Sequence, residues 1–278
     1  MLEGLKRSWD MTLKIVEIMK SDRELMLFPM ASGFFMLLAI ISFIIPLVAL
    51  NLLHNLLLAV TALFLFYFVT YFIVIFFNSA LVAAVNIRLE GKKPTLAEGM
   101  DIALGRIPSI VGWAVISATV GMVLRTLTSG DNKNFIGPLL ASLLGASWSL
   151  MTFFVIPVLV IEGQDPLSAI KRSLDLWKSV LSSGQNIRNA GTIGIGGGAL
   201  ALAIFLVYLI SIMALFYAVG MNSTLLIPAL VVFLLLIAVT QVLLNTVNMI
   251  FVTMIYHYAV SGEDPENLQI EETIKQVR

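Results

Sequence analysis

Residues 56–94 read LLLAVTALFLFYFVTYFIVIFFNSALVAAVNIRLEGKKP. The run from Leu56 to Ile87 contains no Asp, Glu, Lys or Arg, and charge returns together at Arg88, Glu90, Lys92 and Lys93. About 20 mostly apolar residues are enough for a helix to cross a bilayer. This stretch is therefore predicted to span one, with length to spare for tilt or projection.

Five further stretches read the same way: about Leu25–Leu50, Ile107–Leu124, Phe135–Ile161, Ala190–Val219 and Leu225–Val260. The whole composition agrees. Of 278 residues 59% are apolar and 12% charged, against about half and about a quarter in soluble domains. No soluble fold of this length could hide that much apolar surface. The 17 basic and 17 acidic residues cancel, which leaves no basic surplus for a nucleic-acid partner. With no Cys and only His54 and His257, disulfides, thiol catalysis and Cys-ligated metals are excluded. Neither a metal nor a cofactor is expected. The first 24 residues lack an apolar core of the signal-peptide type, so the first span is expected to act as its own uncleaved targeting signal.

Six spans place 15 of the 17 basic residues on one side, with Arg125 and Lys133 opposite. The positive-inside rule makes that side cytoplasmic, together with both termini. The expected location is a multi-pass protein of the cell membrane.

The ends of spans two, four and six are alike: Gly91-Lys92-Lys93-Pro94, Gly163-Gln164-Asp165-Pro166 and Gly262-Glu263-Asp264-Pro265. Gly can close a helix in the left-handed region and Pro can open the next one. Leu5-Lys6-Arg7-Ser8-Trp9-Asp10 also matches Ile170-Lys171-Arg172-Ser173-Leu174-Asp175. The predicted fold is an all-α, polytopic membrane bundle of six transmembrane helices. They form three tandem hairpin repeats with interfacial amphipathic helices. One integral domain covers 1–278, with units at about 1–91, 92–163 and 164–262 and a closing cytoplasmic helix over 263–278. Repeats that enter from one side imply a pseudo-threefold axis along the membrane normal.

No Asp, Glu, Lys or Arg lies inside the spans, whereas coupled transporters and intramembrane hydrolases usually need such groups at depth. No His-Glu-x-x-His, Gly-x-Ser-x-Gly or Walker pattern occurs, so no enzyme and no catalytic residue is expected. The glycines from Gly191 to Gly198 lack the strand and the Lys-Ser/Thr of a phosphate loop. Gly194 and Gly198, like Ala141, Gly145 and Ser149, instead suit close helix packing, within the chain or in a homo-oligomer. Pro46 and Pro157 are positions where a helix could kink.

The polar groups left at depth are amides and hydroxyls. Gln241, Asn245 and Asn248 share a stripe on span six. Asn78, Ser149 and Asn248 lie thirteen, fourteen and fourteen residues before their repeat Gly. They are candidates for a pseudo-threefold polar lining, or for interhelical hydrogen bonds. At the interface, Leu5, Trp9, Leu13 and Val16 share a helical face, as do Leu174, Trp177 and Leu181, in the pattern of interfacial helices. Arg7, Trp9, Arg172 and Trp177 are the candidate lipid-headgroup contacts. Two function classes stay open. One is a passive channel or permease-like protein for a neutral or weakly polar solute. The other is a lipid-binding or scaffold protein, with membrane lipids as its partners.

The run Asn86-Ile87-Arg88-Leu89-Glu90-Gly91 to Pro94, with Ile161-Glu162-Gly163 to Pro166-Leu167 and Ala169-Ile170-Lys171-Arg172-Ser173, resembles a prokaryotic family of uncharacterised six-span membrane proteins. That family is similar in architecture to the membrane portion of some glycerophosphodiester phosphodiesterases. The resemblance covers nearly the whole chain. It implies the six-span fold and a bacterial or archaeal membrane. It implies no activity, because the chain has no soluble phosphodiesterase domain and no phosphodiesterase residues carry over.

Overall fold

In the computed structural model, the described residues are 21–49, 56–128, 136–182 and 226–261, with isolated positions at 13, 15, 17–19, 208–209, 211–212, 217 and 220. They are helical, and no β-strand occurs among them. In chain order they form α1 (Glu24–Ala49), α2 (Leu56–Leu89), α3 (Leu96–Gly105), α4 (Ile107–Thr128) and α5 (Ile136–Met151). After these come α6 (Val155–Pro157), which runs on as a π-helical turn over Val158–Glu162, then α7 (Pro166–Ser182) and α8 (Leu226–Ser261). Among the described residues, five segments are long and apolar enough to cross a membrane: Glu24–Phe43, Leu57–Leu89, Ile107–Leu127, Leu139–Glu162 and Thr240–Ser261. Most of the span expected over Ala190–Val219 lies outside the described residues, as do the N-terminal amphipathic stretch apart from Leu13, the third Gly-x-x-Pro and the helix expected over 263–278.

Helix α2 is the hub, packed against α1, α3, α4, α6 and α8. Its residues from Ile75 to Val85 are all buried, while Leu57, Val60 and Leu63 near its start are exposed. The core gathers around that buried half: Leu25 and Phe28 of α1, Ala103 of α3, Ile110 and Trp113 of α4, Phe154 and Leu159 of the fourth span, and Ile250 and Met254 of α8. Toward the other end, Phe34, Ile41, Leu139 and Leu143 lie open. Large apolar side chains exposed in such number suit lipid and not water.

Several contacts bring one set of helix ends together. The Arg88 guanidinium at the end of α2 pairs with Asp22 at the start of α1 and donates to Ser21 Oγ at 3.1 Å. Glu24 accepts the backbone N–H of Leu96, the first residue of α3. Thr95 caps that helix in a reciprocal box with Glu98, which satisfies N–H groups that a helix start leaves orphaned. These contacts define a charged end, where α1 and α4 begin and α2 and α8 finish. Arg23, Arg88, Lys92, Lys93, Arg106, Lys171, Arg172 and Lys178 lie in segments at that end. Arg125 lies in the last turn of α4, at the far end.

The two described repeat glycines both take the left-handed conformation, φ 80° at Gly91 and 70° at Gly163. At the first, Gly91 N–H bonds Arg88 O and Lys92 N–H bonds Ile87 O, the paired bonds of a Schellman cap. A different glycine governs packing. A Cβ on Gly99 of α3 would lie 2.7 Å from Phe28 Cζ and 2.8 Å from the Ala80 carbonyl oxygen.

The fourth span is not the single helix expected over Phe135–Ile161. It opens at Thr152–Phe154 before α6. Pro157 has no N–H to donate to the carbonyl four residues back, and its ring crowds that carbonyl. The loosened turn leaves the Phe154 N–H without its helical partner, and Ser173 Oγ of α7 accepts it at 3.1 Å. Pro46 does not end a helix, since α1 continues through it to Ala49.

The Gly99 contact makes a direct prediction. Gly99→Val drives a side chain into backbone as well as into Phe28. It should destabilise the protein by about 1–3 kcal/mol, seen as a lower unfolding midpoint in detergent, whereas Gly105→Ala, where a Cβ meets nothing within 4 Å, should leave the midpoint in place.

Candidate functional site

Among the described residues, side-chain hydrogen bonds from Asn245, Tyr256 and His257 tie α8 to the rest of the bundle. Asn245 Nδ2 donates to Asn78 Oδ1 at 2.8 Å. Twelve residues on, the His257 ring meets Asn86 at 2.6 Å from Nε2 to Oδ1. Asn86 Nδ2 donates to Glu90 Oε1 at 2.9 Å, so its Oδ1 is the acceptor and His257 carries the shared proton on Nε2. The neighbouring Tyr256 O–H donates to Glu162 Oε1 at 2.9 Å. Both bridges to α2 run in the same chain direction, so α2 and α8 are parallel. The steps differ, at about 12 Å along α2 and about 18 Å along α8 for a 1.5 Å rise per residue, so the two helices cross at an angle.

That crossing decides which candidate lining residues meet. Asn78 and Asn245 are brought together, and Asn78 is only 7% exposed. Asn248, the register match counted from the repeat Gly, is exposed one turn further on. Gln241 is exposed too. Ser149 is exposed and bonds back to Gly145 O at 2.9 Å within its own helix. Counting residues assumes helices of equal slope, and α8 does not share the slope of α2. Near the bonded pair, the Ser79 and Thr70 hydroxyls of α2 are buried without a hydrogen-bond partner.

Of the candidate headgroup contacts, Arg7 and Trp9 lie outside the described residues. Arg172 Nε bonds both oxygens of Glu162, at 3.0 and 3.2 Å. Trp177 turns inward, its ring 5.3 Å from that of Phe153 and 5.6 Å from that of Phe154. Its Nε1 is buried with no partner. The aromatic face of α7 thus packs beneath the break in the fourth span, next to Ser173.

Glu162 is the residue that reading the sequence passed over. It closes the fourth span and accepts from Tyr256, from Arg172 and from Gln164 Nε2 at 2.7 Å. The usable signal was the pair Glu90-Gly91 and Glu162-Gly163, an acid just before each described repeat glycine. Three residues further on, Asp165 accepts from the N–H groups of Leu167 and Ser168 at the start of α7. Its hydrogen bonds with the Ser168 side chain and amide, then with Leu167, hold its carboxyl below the usual range. Among the described residues no group of three His, Asp or Glu side chains could hold a metal.

A helical bundle with five membrane-length apolar segments and polar groups gathered at one end is a multi-span membrane protein. The chain belongs to a family described as a family of unknown function (DUF6159), which matches residues 56–265. No curated protein and no solved structure matches the chain, so the likeness to phosphodiesterase membrane portions finds no support there.

The Asn78–Asn245 bridge can be weighed by a double-mutant cycle. Asn78→Leu and Asn245→Leu should each destabilise the protein in detergent, because each leaves the partner amide unsatisfied. The double variant should fall short of the sum by about 0.6–2 kcal/mol.

Proposed function

We propose that the protein is a non-catalytic, six-span membrane protein that holds anionic lipid headgroups at its charged end. One observation carries this reading. Of the two short helices at that end, α7 presents apolar and basic side chains together, and α3 adds exposed apolar ones. Ile102, Leu104 and Leu167 are exposed on α3 and α7, and Lys171 and Lys178 are exposed on α7. Exposed leucines beside exposed lysines are the surface of a helix that lies at the headgroup level, where each basic residue attracts anionic lipid by about 1 kcal/mol.

The parallel course of α2 and α8 supports the count of six. Spans three and four bring the chain back to the charged end, and α7 stays there through Arg172 and Ser173. Since α8 finishes at the charged end, it begins at the opposite one. That direction of α8 calls for the span read from the sequence over Ala190–Val219, which lies mostly outside the described residues. The two similar glycine turns support tandem repetition. The excess of basic residues makes the charged end the cytoplasmic one under the positive-inside rule.

A second reading, passive passage of a neutral or weakly polar solute, draws on the buried, unpartnered hydroxyls of Ser79 and Thr70. It is the weaker of the two, because Asn245 Nδ2 is spent on Asn78 Oδ1 within the helix pair.

Native mass spectrometry of gently extracted protein separates the readings. Retained anionic phospholipid in fixed ratio to protein, reduced in the Lys171→Gln, Lys178→Gln double variant, is the expected result. A lipid-free protein that passes small neutral solutes in proteoliposomes would overturn it.

A further inference from the structure

The turn Glu162-Gly163-Gln164 carries two arginines and one carboxylate, and the carboxylate is already in use. Glu162 is held by Tyr256, Arg172 and Gln164. Arg172 gives it only Nε, which leaves the four N–H groups of its two terminal nitrogens unspent among the described residues, and the side chain is 39% exposed. Arg106, at the turn between α3 and α4, reaches over Gly163. A Cβ on that glycine would sit 2.6 Å from Arg106 Nη2 and 2.7 Å from both Cζ and Nη1. Near-equal distances to three guanidinium atoms mean that the group lies largely face-on against the glycine, with its N–H edges directed away from the backbone. Gly163 is suited twice over, by its positive φ and by the absence of a side chain. The Arg106 guanidinium is half-buried, and it has no hydrogen bond or ion pair among the described residues. Asp165, two residues past the glycine, is occupied at the start of α7.

We propose that Arg106 and Arg172, held over the Glu162–Gln164 turn, form a binding site for a phosphate group. Two guanidiniums with unspent N–H forks match the paired oxygens of a tetrahedral phosphate better than a point charge does. Leu167, in the first turn of the helix beside the site, is 64% exposed, which sets the site at the depth of phospholipid headgroups. The phosphate is therefore that of a lipid headgroup, and a free phosphate shares the chemistry. The assignment of the lipid source rests on the reading that this end of the bundle meets headgroups.

The test titrates purified full-length protein with phosphatidylglycerol and, separately, with inorganic phosphate. Binding is read by native mass spectrometry and by phosphorus NMR, and the unfolding midpoint serves as a check on folding. Arg106→Gln and Arg172→Gln should each weaken phosphatidylglycerol binding about tenfold or more, with Arg106→Lys and Lys93→Gln each weakening it less. The Arg106 side chain makes no hydrogen bond or ion pair among the described residues, so Arg106→Gln should fold normally. Should Arg172→Gln unfold, Gly163→Ala, which displaces the Arg106 guanidinium but keeps both charges, gives the same readout. Equal phosphatidylglycerol retention by wild type and Arg106→Gln would overturn the site and leave the lipid-holding function standing. Binding of inorganic phosphate that depends on Arg106, with no retention of lipid, would support the site and overturn the headgroup function.

Discussion

Tyr256 and His257 are adjacent on α8, and their hydrogen bonds leave that helix in two directions, to Glu162 on the fourth span and to Asn86 on α2. The rest of the charged end depends on this pair of bonds. Helices in lipid gain little from apolar contact with one another, because the tails around them are as apolar as their own side chains. What fixes register and rotation is the small set of polar groups that must find partners. In the last turns of α8, two such groups bind two different helices at the same height. Hydrogen bonds to a carboxylate are worth about 1.5–3 kcal/mol net, which outweighs any single apolar contact along those helices.

The break in the fourth span follows the same logic. Pro157 takes a donor out of the helix, and the turn before it opens. A freed amide in an apolar setting costs several kcal/mol when unsatisfied. Ser173 meets the Phe154 N–H, and Phe153 and Phe154 close over the Trp177 ring. Helix α7 is therefore locked to the span it follows, and its basic residues and the Glu162 turn are held at a fixed depth. The candidate phosphate site inherits its geometry from this lock, because Arg172 lies one residue before Ser173.

Much of this was legible in the sequence. The apolar runs mark the five described spans to within a few residues, because hydropathy is summed over many positions and is insensitive to any one of them. Gly91 and Gly163 were legible as helix ends, because a left-handed residue ahead of a proline has few alternatives to glycine. The partners of the amides were not legible. Asn78 meets Asn245 and not Asn248, because α2 and α8 cross at an angle that a residue count along either helix does not contain. Glu162 was hidden for a similar reason. It sits one residue past the hydrophobic run, where it reads as a solvated end, yet Tyr256, which lies 94 positions away in the chain, reaches it. Trp177 read as a headgroup contact from its place on an amphipathic helix, and it turns inward because the opened fourth span leaves an aromatic gap for it.

The central claim is that α2 and α8 run parallel and finish on the same side of the membrane. Because the chain contains no Cys, single reporters can be placed without background. Lys92→Cys and Ser261→Cys, each alone, should react with a membrane-impermeant maleimide from the same face of sealed membranes. Arg125→Cys should react only from the other face. Labelling of Lys92→Cys and Ser261→Cys from opposite faces would contradict the account.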